Sequence, residues 1–337
     1  MKHLISVCIV VLWAYAYPSM SRMLDDSSVV KAHQQWMMKY EITYINSSEM
    51  EKRLQIFKEN LDYIEKFNSA GNKSYTLGLN PYSDLTTEEF KASYTGLKVP
   101  SHVYSSKIRS NQVLFNVTNN IPLTMDWRVK GAVTDVKKQG QCDGCWAFAA
   151  VAAVEGFWKI KMGNLLTLSE QQLIDCDRSS DGCTSGSIVG GFNNIIDNRG
   201  ILQESQYPYR EGDGTCKQFD MDKAEAYITC YINLKKNDEQ NLQRAVAEQP
   251  VAVGISVGDD FFKYSGGVYS GACGTSLDHA VTIVGYGKTK SGLKYWLIKN
   301  SWGKNWGVNG YMRIKREGGG PEGHCSIATH AYIPCIY

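Results

Sequence analysis

No cysteine occurs from Tyr17 to Gln141, although the 337-residue chain holds ten of them. One is Cys8; the other nine lie from Cys142 onward. The two stretches must be stabilised differently, the first by packing alone and the second by disulfides formed in an oxidising compartment. No long run of like charge is present either: 36 basic and 34 acidic residues leave a formal net charge of +2. Nucleic-acid binding and a polybasic membrane contact therefore have no support. No apolar run approaches the ~20 residues that a bilayer span needs. The N-terminal run from Leu4 to Ala16 has about 13, too few to span. It follows the basic Lys2 and His3 and ends in Ala14-Tyr15-Ala16, the pattern of a cleavable secretory signal. No second Cys/His pair follows Cys142-x-x-Cys145 at zinc spacing, so a metal is not expected, nor a cofactor.

With Cys8 removed alongside the signal, nine cysteines remain, and an odd count leaves at least one thiol free. Cys145 is the candidate. It closes Gln139-Gly140-Gln141-Cys142-Asp143-Gly144-Cys145-Trp146 and directly precedes Ala147-Phe148-Ala149-Ala150. The stretch from Trp146 to Lys161, rich in alanine and large apolar residues, predicts a buried helix that begins at Cys145. Orphan N–H groups and the helix dipole favour an anion there. The dipole contributes only ~0.3–1 kcal/mol, under one pKa unit, so a reactive thiolate needs a cationic partner as well.

Upstream, Val29 to Asn68 has helical periodicity. Glu49, Arg53, Phe57, Asn60, Ile64 and Asn68 recur every three or four residues and form one stripe. Glu49 and Arg53 are expected to pair at i,i+4. The stripe matches Glu-x3-Arg-x3-Phe-x2-Asn-x3-Ile-x3-Asn, and with Gly78-x-Asn80-x-Tyr82-x-Asp84 it resembles the inhibitory pro-segment of papain-like cysteine proteases. Ile121-Pro122, Asp126-Trp127-Arg128 and the segment around Cys145 resemble the mature enzymes of that family, and the likeness runs to the C-terminus.

The resemblance implies an α+β fold of two lobes behind a helical pro-domain. The left lobe, roughly Trp127 to Tyr207, is helical; the right lobe, from about Pro208, is β-rich and barrel-like. It implies a signal at 1–16 and a pro-segment at 17–120, with a helical core at 29–96 and a linker at 97–120. The mature domain is then 121–337. The stretch from Lys98 to Asn120 would be the tail that crosses the cleft backwards. Cys145 is the expected nucleophile, and His279, in Leu277-Asp278-His279-Ala280-Val281, its acid–base partner. Asn300 would orient the imidazole, Trp302 would shield that hydrogen bond, and the Gln139 amide would complete an oxyanion hole.

The same resemblance implies the pairs Cys142–Cys183, Cys176–Cys216 and Cys273–Cys325. Cys230 and Cys335 are left over, and a fourth bridge between them is expected. Asn46, Asn72 and Asn116 open glycosylation sequons. Gly186 should hydrogen-bond the substrate backbone. Ile188, Val189, Gly254, Leu277 and Ala280 should line an apolar, roomy S2 pocket, with His330 at its floor and protonated below roughly pH 6.5; Asp278 should also contact substrate.

Among the positions that depart from the family pattern are Asp143, two residues before the nucleophile, Gly144 mildly, Thr184, Ser185 and Ser326. Asp143 would raise the pKa of a lone thiol but also attract an imidazolium, and should bias S1 toward basic side chains.

The expected function is a cysteine endopeptidase made as a secreted zymogen, destined for the vacuole, lysosome or extracellular space. Its partners would be protein substrates, its own pro-segment and cystatin-type inhibitors, and the enzyme would be a monomer. The departures motivate an alternative, a protease-fold binding or storage protein; a transpeptidase using the same thioester is another.

Overall fold

The computed structural model describes residues 26–99, 108–109, 121–217, 223–274 and 276–337. The signal at 1–16, the Asn116 sequon and most of the 98–120 tail lie outside the described residues. The helices are α1 (Asp26–Tyr40), α2 (Ser47–Ser69), α3 (Thr87–Tyr94), α4 (Cys145–Met162), α5 (Glu170–Cys176), α6 (Ile188–Asp197) and α7 (Glu239–Glu248). The strands are β1 (Tyr75–Leu77), β2 (Ile108–Arg109), β3 (Met125–Asp126), β4 (Cys230–Asn233), β5 (Val251–Ile255), β6 (Tyr264–Gly267), β7 (His279–Lys288), β8 (Lys294–Lys299), β9 (Tyr311–Lys315) and β10 (Ala331–Cys335). No described helix is long and apolar enough to cross a membrane.

The stripe on α2 explains how the pro-segment holds together. Asn46 caps the helix by accepting from the Glu49 N–H, while Glu49 accepts from the Ile45 N–H, so both side chains satisfy orphan donors. Asn46 and Asn72, the two sequon residues described, are exposed. Phe57 and Ile64 are buried. Asn60 Nδ2 donates to the carbonyls of Ser83 and Leu85, and Asn68 bonds both the N–H and the carbonyl of Leu77. The expected Glu49–Arg53 pair gives way to longer-range partners. Arg53 donates to Glu89 at 2.8 Å and to the Asp84 carbonyl, because α3 brings a carboxylate within reach and Glu49 is occupied at the cap.

The pro-segment is continuous with the mature domain. β1 pairs antiparallel with β6. Asn80 Nδ2 donates to the Phe262 carbonyl and Tyr82 Oη to the Trp302 carbonyl. Phe90, fully buried, stacks on Phe262 at 4.5 Å and meets Trp302 edge-on at 4.8 Å. Ile64, Tyr75, Leu77, Tyr82 and Phe90 thus share one core with the β-rich lobe.

The large sheet runs β2-β4-β10-β5-β7-β8-β9, with β3 beside the far end of β7. It is not a closed barrel, which corrects the barrel-like expectation. The end strands β2 and β9 do not pair, and the Tyr269 loop takes up the outer edge of β9. The other lobe packs α5 and α6 around the apolar α4 in a second core. Buried charges tie the two lobes: Lys299 Nζ donates to Thr134 Oγ1 at 2.7 Å, and Thr134 donates on to Glu155.

Candidate active site

Cys145 is the first residue of α4 and is fully buried. Gly144 before it offers no side-chain cap, so the first-turn N–H groups have no competing acceptor there. Four disulfides account for all the other described cysteines: Cys142–Cys183, Cys176–Cys216, Cys230–Cys335 and Cys273–Cys325. The expected fourth bridge is thus present, between strands β4 and β10 whose register sets Cys335 opposite Cys230. Cys145 is the free thiol among the described residues.

β7 begins at His279, and the N–H of Ala280, one residue on, reaches the Cys145 sulfur. His279 Nε2 lies 2.9 Å from Asn300 Oδ1. That oxygen also accepts the Ser301 backbone N–H at 2.8 Å, which fixes the amide orientation. Nε2 must then carry the proton, leaving Nδ1 as the basic nitrogen; Nδ1 has no hydrogen-bond partner among the described residues. Trp302 stacks on the imidazole at 4.6 Å and 23°, where it keeps water from the His279–Asn300 bond.

Gln139 is fully buried. Its Oε1 accepts from Ser301 Oγ at 2.6 Å, and its Nε2 donates to the Cys142 carbonyl at 3.0 Å and to the Tyr94 carbonyl at 3.5 Å. Trp302 Nε1 also donates to Tyr94 at 3.4 Å. A pro-segment carbonyl therefore reaches the Gln139 amide, where the resemblance places an oxyanion donor.

Residues 94–99 of the pro-segment fill the cleft, earlier than the expected crossing from Lys98 onward. The Gly96 N–H lies 3.4 Å from the Cys145 sulfur. Gly186 donates to the Gly96 carbonyl and accepts from the Lys98 N–H, and Leu97 donates to the Asp278 carbonyl at 3.1 Å. Leu97 pairs with Gly186 in the parallel sense, and it is the Gly96 N–H, not a carbonyl carbon, that faces the sulfur, so the bound segment is not poised for cleavage. Ser185 donates to Asp181, which pairs with Lys98.

Burial under this segment pushes the Cys145 thiol up to about 12 and His279 down to about 4. Desolvation in the covered state thus works against the thiolate–imidazolium pair, because it penalises both charged forms.

The matches to known proteins agree with this arrangement. The profile described as papain family cysteine protease matches residues 121–335, and that of the cathepsin propeptide inhibitor domain matches residues 33–90. The chain belongs to the papain family of cysteine proteases. Fruit bromelain of Ananas comosus is 43% identical over 96% of this chain and 91% of its own. Senescence-specific cysteine protease SAG12 of Arabidopsis thaliana is 44% identical over 94% of each chain. Among solved structures, a recombinant stem bromelain precursor superimposes with a TM-score of 0.84 at 42% identity, covering 91% of this chain and 99% of its own. The digestive procathepsin L2 proteinase of Tenebrio molitor reaches 0.85 at 38% identity, covering 91% and 100%. The chain is thus a papain-like cysteine endopeptidase with its inhibitory propeptide attached, and its partners include peptide substrates and that propeptide. The relatives carry protease names, which lends nothing to a storage role.

In this protease the Leu97 side chain enters a pocket lined by Ile188, Val189 and His330, with Tyr332 as a further wall that sequence reasoning missed. Leu277 closes it near Gly254, where a Cβ would lie 2.8 Å from the Leu97 Cδ2. Asp278 contributes its backbone carbonyl to the cleft and its carboxylate to the Val257 N–H. Ala280 belongs to the same left-lobe core cluster as Ile188, Val189 and Tyr332, against which Leu97 packs. His330 Nδ1 lies 3.1 Å from Tyr332 Oη, and burial holds the ring down to about 4, below the expected 6.5. The available signal for this wall was spacing: Tyr332 follows His330 by two residues at the start of β10, and residues two apart along a strand face the same side.

Proposed function

We propose that residues 121–337 form the mature enzyme, with Cys145 as nucleophile, His279 as acid–base, Asn300 as its orienting partner and Gln139 as an oxyanion donor. One observation carries this reading: the free thiol sits at a helix start beside the His279–Asn300 pair, whose Nδ1 is left basic and unpartnered. His279 Nδ1 takes the thiol proton, and the sulfur attacks the peptide carbonyl carbon. The imidazolium then gives its proton to the leaving amine. Water, deprotonated by His279, cleaves the thioester to a carboxylic acid and restores the thiol. Gly186 and Asp278 hold the substrate backbone, and the Leu97 pocket takes an apolar P2 side chain. Leu97 itself supports that preference.

The signal is assigned to 1–16 and the pro-segment to 17–120. Four disulfides fit synthesis in the secretory pathway, with a vacuolar, lysosomal or extracellular destination. The mature enzyme is assigned as a monomer that cystatin-type inhibitors block. Asn46, Asn72 and Asn116 are assigned as glycosylation sites. The test is to treat the zymogen with acid, label it with an epoxysuccinyl thiol probe and follow turnover of a fluorogenic peptide. Labelling at Cys145 with turnover is expected; labelling elsewhere, or none, refutes the assignment.

A further inference from the structure

The cleft carries two carboxylates flanking the Leu97 pocket, one on each side. Toward the nucleophile, Gly96 lies over the Cys145 sulfur and against Asp143. A Cβ on Gly96 would lie 2.5 Å from the Asp143 Cβ and closer still to its carbonyl oxygen. The pro-segment therefore passes this point only because it has no side chain there. The Asp143 Oδ1 is buried without a hydrogen-bond partner among the described residues, and no described ion pair includes Asp143. An unpaired carboxylate in a covered site is costly, and a donor that reaches it is correspondingly favoured. Away from the nucleophile, the residue after Leu97 is Lys98, whose Nζ meets Asp181 at 3.2 Å. The pro-segment thus pairs a cation at one carboxylate and leaves the other empty.

We propose that the unprimed side of this cleft selects peptides with a basic residue on each side of an apolar P2, Asp143 taking the P1 cation and Asp181 the P3 cation. The proposal rests on the cysteine-protease reading above and names its substrate class. A P1 arginine or lysine replaces Gly96 over Cys145 and brings to Asp143 the N–H donors that the pro-segment lacks. The two sites differ in strength. Asp181 and Lys98 are both largely exposed, with side chains 61% and 59% accessible, so solvent screens that pair. Asp143 is half-buried beside the nucleophile and discriminates more strongly.

The experiment uses acid-activated enzyme, active-site titrated with an epoxysuccinyl probe, and fluorogenic peptides with leucine at P2. P1 is arginine or its neutral isostere citrulline; P3 is lysine or glutamine. At low ionic strength kcat/KM should favour P1 arginine over citrulline about tenfold, which corresponds to ~1.4 kcal/mol. Asp143→Asn and Asp143→Gly should both collapse that ratio toward one, and added salt should shrink it in the unmodified enzyme. The P3 ratio should be about two- to threefold and should fall in Asp181→Asn, with the P1 ratio kept. A P1 ratio near one in the unmodified enzyme, or one unchanged by both Asp143 variants, overturns the proposal while titration leaves the protease reading standing. An enzyme that neither labels nor cleaves overturns both.

Discussion

Replacing Phe90 with alanine should open the zymogen without touching its chemistry. Phe90 is fully buried at the seam between propeptide and enzyme. Two of its ring neighbours, Tyr82 and Tyr94, belong to the propeptide; two others, Phe262 and Trp302, belong to the mature domain. Truncating a buried phenylalanine costs ~3–5 kcal/mol in total. Contacts within the propeptide survive opening, so only the part facing Phe262 and Trp302 weakens closure, about 2–3 kcal/mol. That raises the open fraction about 30- to 150-fold, since each ~1.4 kcal/mol is tenfold. The assay is the rate at which an epoxysuccinyl probe labels Cys145 in the intact zymogen at pH 7, read by mass spectrometry. When closing outpaces labelling, that rate follows the open fraction. Phe90→Leu, which keeps most of the volume, should rise only a few-fold. After acid activation the Phe90→Ala enzyme should turn over peptide at the normal rate, showing an intact mature domain. A labelling rate within threefold of the unmodified zymogen would refute the reasoning.

Acidity should act through two opposed groups. His279 is held down to about 4 in the closed state against an ordinary 6.5, so below pH 6.5 only the open form binds its proton. Closure weakens as pH falls toward 4, by up to ~3 kcal/mol. Asp143 is raised by burial to about 7 from 3.8, so its proton favours closure below pH 7, and that support is lost as pH rises through 7. Asp143→Asn removes the opposing group, and its labelling rate should climb at a higher pH than that of the unmodified zymogen; coincident pH profiles would refute this. Gly96→Ala forces a Cβ against backbone and side-chain atoms of Asp143, an overpacking of ~1–3 kcal/mol, so zymogen labelling at pH 7 should rise about 5- to 140-fold. Gly254→Val fills the space beside Leu277 and Leu97, and kcat/KM for a P2-leucine peptide should fall about tenfold relative to P2 alanine, about 1.4 kcal/mol; an unchanged ratio would place the S2 wall elsewhere.

What was legible in the sequence was whatever local pattern or parity could encode. The odd cysteine count required a free thiol and the helix start made Cys145 the candidate, the alanine-rich run announced α4, and the stripe on α2 announced a helix that only its resemblance to the family motif made a propeptide. Where distant residues compete, local spacing misleads. Glu49 and Arg53 stand at helical spacing, yet Arg53 bonds Glu89, 36 residues away in sequence, because α3 folds back over α2. The cleft-filling segment from Tyr94 to Val99 has no periodicity, since its backbone pairs with Gly186 and Asp278 while Leu97, Lys98 and Val99 border one pocket in succession. Ser326, read as a departure from the family, adopts a φ of 60°, the left-handed region where glycine has no Cβ penalty. Its neighbours hold it there: the Ser326 N–H bonds the Gly323 carbonyl, and Cys325 before it is tied to Cys273.

The state of the catalytic pair is the least local property of all. The sequence points to a charged Cys145–His279 pair; in the covered zymogen burial pushes the thiol up and the imidazole down, toward the neutral pair. The same propeptide segment covers the pair, brings the Tyr94 carbonyl to the Gln139 amide and sets the Gly96 N–H against the sulfur. Inhibition is therefore electrostatic as well as steric. A propeptide variant that still covers the cleft but admits water to Cys145 would restore the ion pair before it restored substrate access. Reaction with a small alkylating agent should then precede peptide turnover as the strand is loosened. Simultaneous recovery of both would mean that steric cover alone keeps the enzyme silent.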